Sequence, residues 1–305
     1  MTTKRCWSLK DIPDLTGKTA IVTGGNTGLG FKTTLELARN AAKVVLACRN
    51  EEKGKAAINR LRQTLPEAEL DVISLDLTCR QSIENFVHQV TSRYSQLDIL
   101  VNNAGVVNLA QRQTTPEGFE MHMATNHLGH FALTGRLLPA LLSADHARVV
   151  TVSSGGYKYG TINFDDFNWQ QRPYHRVKAY GDSKLANLLF SYQLQRYFDS
   201  IGANAMSVAA HPGLTGTERQ QTIGVGGVFS RSLASSVDNG CRSQLLAATA
   251  PNIKPQGLYG PRYGIWGSPA LHKASPKYVN AALAQQLWDF SEDITGVRFP
   301  TDGLA

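Results

Sequence analysis

A tyrosine and a lysine stand four residues apart in the stretch AYGDSKLANLLF, residues 179–190, where the pattern predicts a helix. Tyr180 and Lys184 are therefore expected on one helix face, one turn apart. A free phenol has a pKa of about 10, and bringing it toward 7 takes about 4 kcal/mol of differential stabilisation. A nearby ammonium favours the phenolate. The pair indicates acid and base chemistry at Tyr180, although this spacing alone is common in helices.

The elements that must position this pair alternate between strands and helices. Apolar runs predict strands at 18–24, 43–49, 70–76, 97–105, 147–154 and 204–213. Helical periodicity predicts helices near 29–40, 51–64, 80–94, 118–142 and 179–200, and later near 237–249 and 277–293, with a short strand at 257–260. This order favours an α/β fold with a doubly wound parallel sheet and helices on both faces.

Composition excludes several classes of protein. The chain has 305 residues, 42% of them hydrophobic and 18% charged, as expected of a soluble globular protein. Its net charge of +7 is scattered, which fits anionic small molecules better than nucleic acid. Four distant cysteines without metal spacing indicate a reducing compartment. The N-terminus has no apolar h-region and no long apolar window occurs, so we expect no membrane span and a cytoplasmic location.

A glycine-rich loop, VTGGNTGLGFKT, follows the first predicted strand and opens the first helix. Backbone N–H groups and the helix dipole favour a phosphate at such a place. A phosphate loop of the ATPase type would need a lysine directly after its last glycine, whereas Phe31 separates Gly30 from Lys32. A glycine turn without a ligand is the remaining alternative to dinucleotide binding.

Three motifs together resemble the short-chain dehydrogenase/reductase family: T-G-x-x-x-G-x-G from Thr23 to Gly30, NNAG at 102–105, and the Tyr180/Lys184 pair. The resemblance runs over about residues 17–213 and implies a Rossmann fold that binds NAD(P)(H). It implies hydride transfer between that cofactor and a small-molecule carbonyl or alcohol. We expect a single domain over 1–305, with 17–213 as the cofactor-binding and catalytic core and 214–305 as a substrate-covering extension. The resemblance implies a homodimer or homotetramer, because the helices at 118–142 and 179–200 form the dimer face in many relatives.

The resemblance also assigns residue roles. It implies four catalytic residues: Asn126, Ser154, Tyr180 and Lys184. Tyr180 would exchange a proton with the substrate oxygen, Ser154 would donate a hydrogen bond to it with Ser153 as the alternative, and Asn126 would hold a water that relays protons past Lys184. Lys184 and the positive nicotinamide ring would share the lowering of the phenol's pKa. The residues expected at the cofactor are Gly24, Asn26, Thr27, Gly28, Leu29, Gly30, Arg49, Asp76, Leu77, Asn102, Asn103, Ala104, Gly105, Tyr180, Lys184, Pro212, Gly213, Thr215 and Thr217.

The segment between Ser154 and Tyr180 is about twice as long as in compact members of the family. With ACRN at 47–50, this insertion resembles the retinol dehydrogenase-like branch, which implies apolar alcohols and carbonyls as substrates. Aromatic side chains of the insertion either line a lid or pack the insertion onto the body of the protein; they are Phe164, Phe167 and Trp169. The Gly- and Ser-rich stretch 224–236 is expected to order over bound ligand.

The residues at the end of the second predicted strand are expected to select between NAD(H) and NADP(H). NAD-specific enzymes generally place an acid there for the ribose 2′-hydroxyl, and this sequence has Cys48 instead. Arg49 follows, with a planar fork suited to phosphate oxygens, so NADP(H) is favoured and NAD(H) stays possible. The alternative is that Arg49 is a solvated residue, with Asn50 capping the following helix in either case.

Two other functions are compatible with parts of this sequence. A catalytically silent dinucleotide-binding sensor or scaffold would share the fold, but it would not need all four catalytic residues. A sugar-nucleotide epimerase would normally carry TGxxGxxG and a larger C-terminal lobe. His122, His127 and His130 fall on one predicted helix without a carboxylate or cysteine cluster, so we expect no metal site.

Overall fold

The computed structural model describes residues 6–213 and 237–301. Its strands are β1 (Thr19–Thr23), β2 (Lys43–Cys48), β3 (Leu70–Ser74), β4 (Ile99–Asn102), β5 (Ala147–Val152), β6 (Ala205–Ala210), β7 (Leu258–Pro261) and β8 (Pro269–His272). Its α-helices are α1 (Gly28–Arg39), α2 (Glu51–Thr64), α3 (Arg80–Thr91), α4 (Met121–Met123), α5 (Gly129–Arg136), α6 (Leu138–Leu142), α7 (Arg176–Ser200), α8 (Val237–Gly240), α9 (Arg242–Thr249) and α10 (Ala281–Thr295).

All eight strands form one sheet in the order β3-β2-β1-β4-β5-β6-β7-β8. Strands β1 to β7 pair in parallel, and β8 pairs antiparallel with β7. The order reverses between β1 and β4, and at such a switch point the loops beyond the two carboxyl ends diverge and leave a crevice. The Rossmann fold expected from the sequence is confirmed.

Neighbouring residues of the central strands pack on opposite faces of the sheet. In β1, Ala20 and Val22 join the apolar layer beneath α1 and α2, whereas Ile21 joins the layer that includes Phe86 and Phe131. Because both faces are covered, all five residues of β1 are buried. This explains why the strands read as apolar runs without clean alternation.

The helix expected at 118–142 differs from the sequence prediction. It begins at Met121, and a π-helical turn over Ala124–Leu128 interrupts it before α5. Near the C-terminus, the final helix begins at Ala281 because the Asn280 side chain accepts hydrogen bonds from two backbone N–H groups of its first turn. Strand β8 was missed, since an antiparallel edge strand of four residues has little apolar signal.

The insertion packs onto the body of the protein. Phe164 and Phe167 both contact the ring of Phe290 on α10, with centroids 5.4 and 4.8 Å apart. Trp169 is buried, and the Arg172 guanidinium lies 3.6 Å from the centre of its ring. Of the two alternatives for these aromatic residues, packing is the one observed. The predicted lid at 224–236 lies outside the described residues.

Candidate functional site

The glycine loop joins β1 to α1 in a conformation that other residues would not allow. Gly24 and Gly28 have φ angles of 65° and 54°, in the left-handed region. A methyl group on Gly30 would lie 2.2 Å from the carbonyl oxygen of Gly24. Thr27 is the N-cap of α1, and its side chain makes no cap hydrogen bond. The backbone N–H groups of the first turn are therefore not satisfied by that side chain. This cradle fits the diphosphate of a dinucleotide.

The glycine loop opens into a cleft of about 710 Å³ at the switch point of the sheet. Most of the residues expected at the cofactor line it: Gly24, Asn26, Thr27, Gly28, Leu29, Gly30, Arg49, Asp76, Leu77, Asn103, Ala104, Gly105, Tyr180, Lys184 and Pro212. Thr215 and Thr217 lie outside the described residues. Asn102 does not line the cleft, because its side chain donates to Thr134 Oγ1 at 3.0 Å on the other side of β4. Gly213 is also absent from the lining and turns with a φ of 73° beside Ile265.

Tyr180 and Lys184 meet at the inner end of this cleft, as their spacing on α7 requires. The Lys184 ammonium lies 5.9 Å from the centre of the Tyr180 ring and donates to the Val152 carbonyl at 3.0 Å. Lys184 is 5% exposed, so its charge acts in a poorly solvated place. Ser154 hydrogen-bonds the Tyr180 hydroxyl. Tyr180 and Lys184 both line the cleft, and Ser154, which follows β5, lies beside Tyr180.

The pKa of Tyr180 departs from the expectation that Lys184 lowers it. Burial raises the pKa of the Tyr180 phenol above its usual value, and the hydrogen bond with Ser154 only works against that rise. Burial also lowers the pKa of Lys184 to about 8, so its ammonium loses its proton more easily than an exposed lysine does. In the protein alone, burial therefore outweighs the groups that favour the phenolate.

The two serines after β5 have different surroundings. Ser153 is 1% exposed, and its hydroxyl donates to the Lys184 backbone carbonyl at 2.7 Å. Ser154 is half-buried, and its hydroxyl oxygen accepts from the Gly156 backbone N–H at 3.2 Å while bonding Tyr180. Of the two serines, only Ser154 bonds Tyr180, whereas Ser153 and not Ser154 is among the residues that line the cleft.

Asn126 lies in the π-helical turn, a feature often found at functional sites. Its amide exchanges two hydrogen bonds with the Val106 backbone, at 2.8 and 3.1 Å, and donates to Ser183 Oγ at 2.9 Å. The side chain therefore braces the loop after β4 against α7. Its backbone carbonyl accepts from His130 Nδ1 at 2.9 Å.

His127 and His130 both have hydrogen-bond partners within the protein. His130 Nε2 lies 2.9 Å from Thr23 Oγ1, so this ring joins Asn126 to the end of β1. His127 Nε2 lies 2.9 Å from Ser291 Oγ on α10. Burial lowers the pKa of His127 to about 3 and that of His130 to about 4, so both rings are neutral.

Other cationic side chains join Arg49 at the outer end of the cleft. Lys53 and Arg60 of α2 also line it, and the Arg60 guanidinium lies 4.5 Å from the centre of the Phe31 ring. Across the described ranges, neither Arg49 nor Lys53 has an ion-pair partner. Sequence reasoning missed Lys53 and Arg60 because it stopped at the end of β2. The spacing of Arg49 and Lys53, four residues apart across the start of a helix, was the available signal.

The match to a known family covers the fold and this site together. The family described as short chain dehydrogenase matches residues 18–225, so the chain belongs to the short-chain dehydrogenase/reductase family. Its members are NAD(P)-dependent oxidoreductases that act on alcohols, and this chain is one of them.

Similarity extends beyond the family core to particular relatives. Retinol dehydrogenase 14 of Mus musculus is 36% identical over 299 residues, which cover 92% of this chain and 86% of that protein. Retinol dehydrogenase 13 of Homo sapiens is 36% identical over 306 residues, covering 97% of this chain and 89% of that protein. The chain is thus retinol dehydrogenase-like within the family.

Solved structures have the same fold. A crystal structure of an uncharacterised protein from Mycobacterium Paratuberculosis is 37% identical, has a TM-score of 0.83 and covers 97% of this chain and 100% of that one. A short chain dehydrogenase from Shigella flexneri 2a strain 301, complexed with NADP, has a TM-score of 0.64 at 22% identity and covers 81% of this chain and 98% of that one. The second likeness shows the fold alone.

Helix length and composition bear on membrane insertion. Within residues 6–213 and 237–301, no helix combines the length and the apolar character that crossing a bilayer requires.

Proposed function

We propose that this protein is an NADP(H)-dependent oxidoreductase that interconverts a carbonyl and an alcohol on an apolar small molecule, with Tyr180 as general acid and base. The observation that carries the proposal is that Tyr180 and Lys184 line the cleft that the glycine loop opens, with Ser154 bonded to Tyr180.

The nicotinamide ring supplies the hydride chemistry when the cofactor is bound. Tyr180 gives a proton to the substrate oxygen as the carbonyl carbon is reduced, and takes it back when an alcohol is oxidised. The Ser154 hydroxyl donates a hydrogen bond to the same oxygen and stabilises the developing alkoxide. Lys184 favours the phenolate and binds the ribose, held in place by the Val152 carbonyl.

Preference for NADP(H) rests on the outer end of the cleft. Arg49, Lys53 and Arg60 line it, and the position that an acid occupies in NAD-specific enzymes is Cys48, 5% exposed. A 2′-phosphate there meets cations instead of a carboxylate.

An apolar substrate is supported by the inner wall and by the relatives. Val106 and Val107, after β4, and Met121 of α4 line the cleft. Relatives named retinol dehydrogenases act on an apolar alcohol, as their name states. Burial of apolar substrate against such a wall is favourable at roughly 25 cal/mol per Å².

The test is Tyr180→Phe with a screen of apolar alcohols and carbonyls, following absorbance of the reduced nicotinamide. We expect turnover to fall below a tenth of the original while the cofactor Kd stays within a few-fold, because the hydroxyl moves the proton and does not hold the dinucleotide. Retention of a tenth or more of the activity would remove Tyr180 from its role.

Location and assembly stay predictions. A cytoplasmic location is proposed because the four cysteines, Cys6, Cys48, Cys79 and Cys241, are free thiols. A homodimer or homotetramer through the helices of 118–142 and α7 is proposed from the family resemblance. Sedimentation of the purified chain tests the second.

A further inference from the structure

Three polar side chains form a cluster beside Tyr180 that the proposed mechanism does not use. Glu120 and His122 are 1% and 0% exposed, and Tyr174 is half-buried. Glu120 is the N-cap of α4, whereas Tyr174 belongs to the insertion and lies just before α7. The cluster therefore connects the insertion to the helix that precedes Asn126.

Hydrogen bonds hold the cluster together. His122 Nδ1 donates to Glu120 Oε1 at 2.9 Å, and the Tyr174 hydroxyl donates to the same oxygen at 3.1 Å. Glu120 Oε2 accepts from the Met123 backbone N–H at 2.9 Å. Burial works to raise the pKa of the Glu120 carboxyl, but these bonds and the charge of His122 outweigh it and hold the pKa below its usual value. Glu120 is therefore a buried carboxylate with His122 as its partner.

The other side of the imidazole faces the catalytic tyrosine. The ring of His122 lies edge-on to that of Tyr180, with centroids 5.9 Å apart and planes 69° apart. Among the described residues, His122 Nε2 is buried without a hydrogen-bond partner. A buried nitrogen without a partner costs about 1–3 kcal/mol. The other polar groups against Tyr180 are Ser154 and Lys184.

We propose that Glu120, His122 and Tyr174 form a positioning cluster, in which the His122 ring fixes the ring of Tyr180 and its Nδ1–H compensates the carboxylate of Glu120 on its other side. The proposal rests on the proposed role of Tyr180. Without the imidazole, Glu120 keeps a buried negative charge that has lost its partner His122 and lies one imidazole away from the Tyr180 ring, and a like charge disfavours the phenolate. Loss of the edge contact also frees the Tyr180 ring.

The experiment measures the Tyr180 phenol directly in the NADP⁺ complex, by NMR titration of ring-¹³C tyrosine with the resonance assigned from Tyr180→Phe. We expect His122→Phe to raise the pKa of Tyr180 by about half a unit or more, which corresponds to a roughly threefold lower alcohol-oxidation rate below that pKa. Calorimetry should give an NADP⁺ Kd within twofold of the original, because the cluster does not line the cofactor cleft.

Matched variants separate this role from general damage. His127→Phe removes another buried histidine, five residues after His122, which bonds Ser291. This variant should leave the Tyr180 pKa unchanged. Adding Glu120→Gln to His122→Phe removes the unpaired charge and should reverse at least half of the shift. His122→Asn, whose amide can still donate to Glu120, should lie closer to the original than His122→Phe does.

An unchanged Tyr180 pKa in folded His122→Phe, or an equal shift in His127→Phe, overturns the proposal. If His122→Phe does not fold, Tyr174→Phe removes only one donor to Glu120 and should raise the pKa by at least about 0.2 unit; no movement there also overturns it. Failure of the proposed function appears separately, as absence of NADP⁺ binding or of turnover in the unsubstituted protein.

Discussion

Replacement of Arg49 by alanine tests cofactor choice at a single side chain. Arg49 is exposed at the end of β2 and lines the cleft, and its side chain has no ion-pair partner in the described parts of the chain. Its guanidinium is therefore available to a 2′-phosphate without breaking another contact. A hydrogen bond to a charged group contributes about 1.5–3 kcal/mol, so Arg49→Ala should raise the NADPH Kd roughly 10- to 150-fold. The NADH Kd should change less than twofold, because NADH has no phosphate at that position.

The assay is calorimetry with both cofactors, supported by steady-state KM values. Lys55→Ala is the matched control: Lys55 lies on the same helix as Lys53, but it pairs with Glu51 at 2.8 Å and does not line the cleft. Lys53→Ala should weaken NADPH binding in the same selective way. Raising ionic strength from about 0.05 to 0.5 M should reduce the NADPH preference of the original protein, because exposed charges are screened.

Two results would refute the reasoning about Arg49. Equal losses of NADPH and NADH affinity would mean that Arg49 supports the fold of the cleft and does not contact the phosphate. A preference of the original protein for NADH would mean that the cations at the outer end of the cleft do not select the cofactor.

Three further outcomes are expected. Lys184→Met should lower both turnover and NADPH affinity, measured by kinetics and calorimetry, because the ammonium acts on Tyr180 and on the ribose; intact affinity would contradict this. Gly30→Ala should abolish cofactor binding in calorimetry, since its methyl would lie 2.2 Å from the Gly24 carbonyl oxygen, whereas Gly155→Ala, with open space around it, should bind normally. Urea unfolding should show stability falling with pH between about 6.5 and 4, by up to roughly 1.4 kcal/mol per unit for each buried neutral histidine. Those histidines are His127, His130 and His211, with pKa values lowered to about 3, about 4 and about 4. The unfolded chain takes up these protons first, so their contribution is present above pH 6.5 and lost as the pH falls; His127→Gln should make the slope shallower, and an unchanged slope would contradict the assignment.

The fold was predictable because its signals are local. Strands buried on both faces are written as apolar runs, and the turns between them carry glycine, as at Gly24 and Gly28. The interruption at Ala124–Leu128 was not predictable, because apolar periodicity runs through a π-helical turn almost unchanged. The short edge strand β8 was not predicted either, because its pairing with β7, and not its composition, makes it a strand.

The residues of the site also fall into a group that local sequence predicts and a group that it does not. Residues of the glycine loop and of α7 follow one another in sequence, so spacing alone brings Tyr180 and Lys184 together. Contacts of the insertion depend on distant partners. Tyr174 meets Glu120 across 54 positions, and Arg112 donates to the Asn168 carbonyl across 56. No local pattern contains these pairs.

The acid and base strength of Tyr180 shows most clearly where sequence reasoning reaches its limit. The sequence spacing places the Lys184 ammonium beside the Tyr180 phenol, and from spacing alone this charge should lower the phenol's pKa. In the fold, burial of both groups reverses that balance: it raises the pKa of Tyr180 and lowers that of Lys184 to about 8. Desolvation depends on how many elements cover a group, and here β5, α7 and the insertion all contribute. The phenol therefore becomes a usable base only when further positive charge enters the cleft, so we expect its ionisation to be coupled to the oxidation state of the bound nicotinamide.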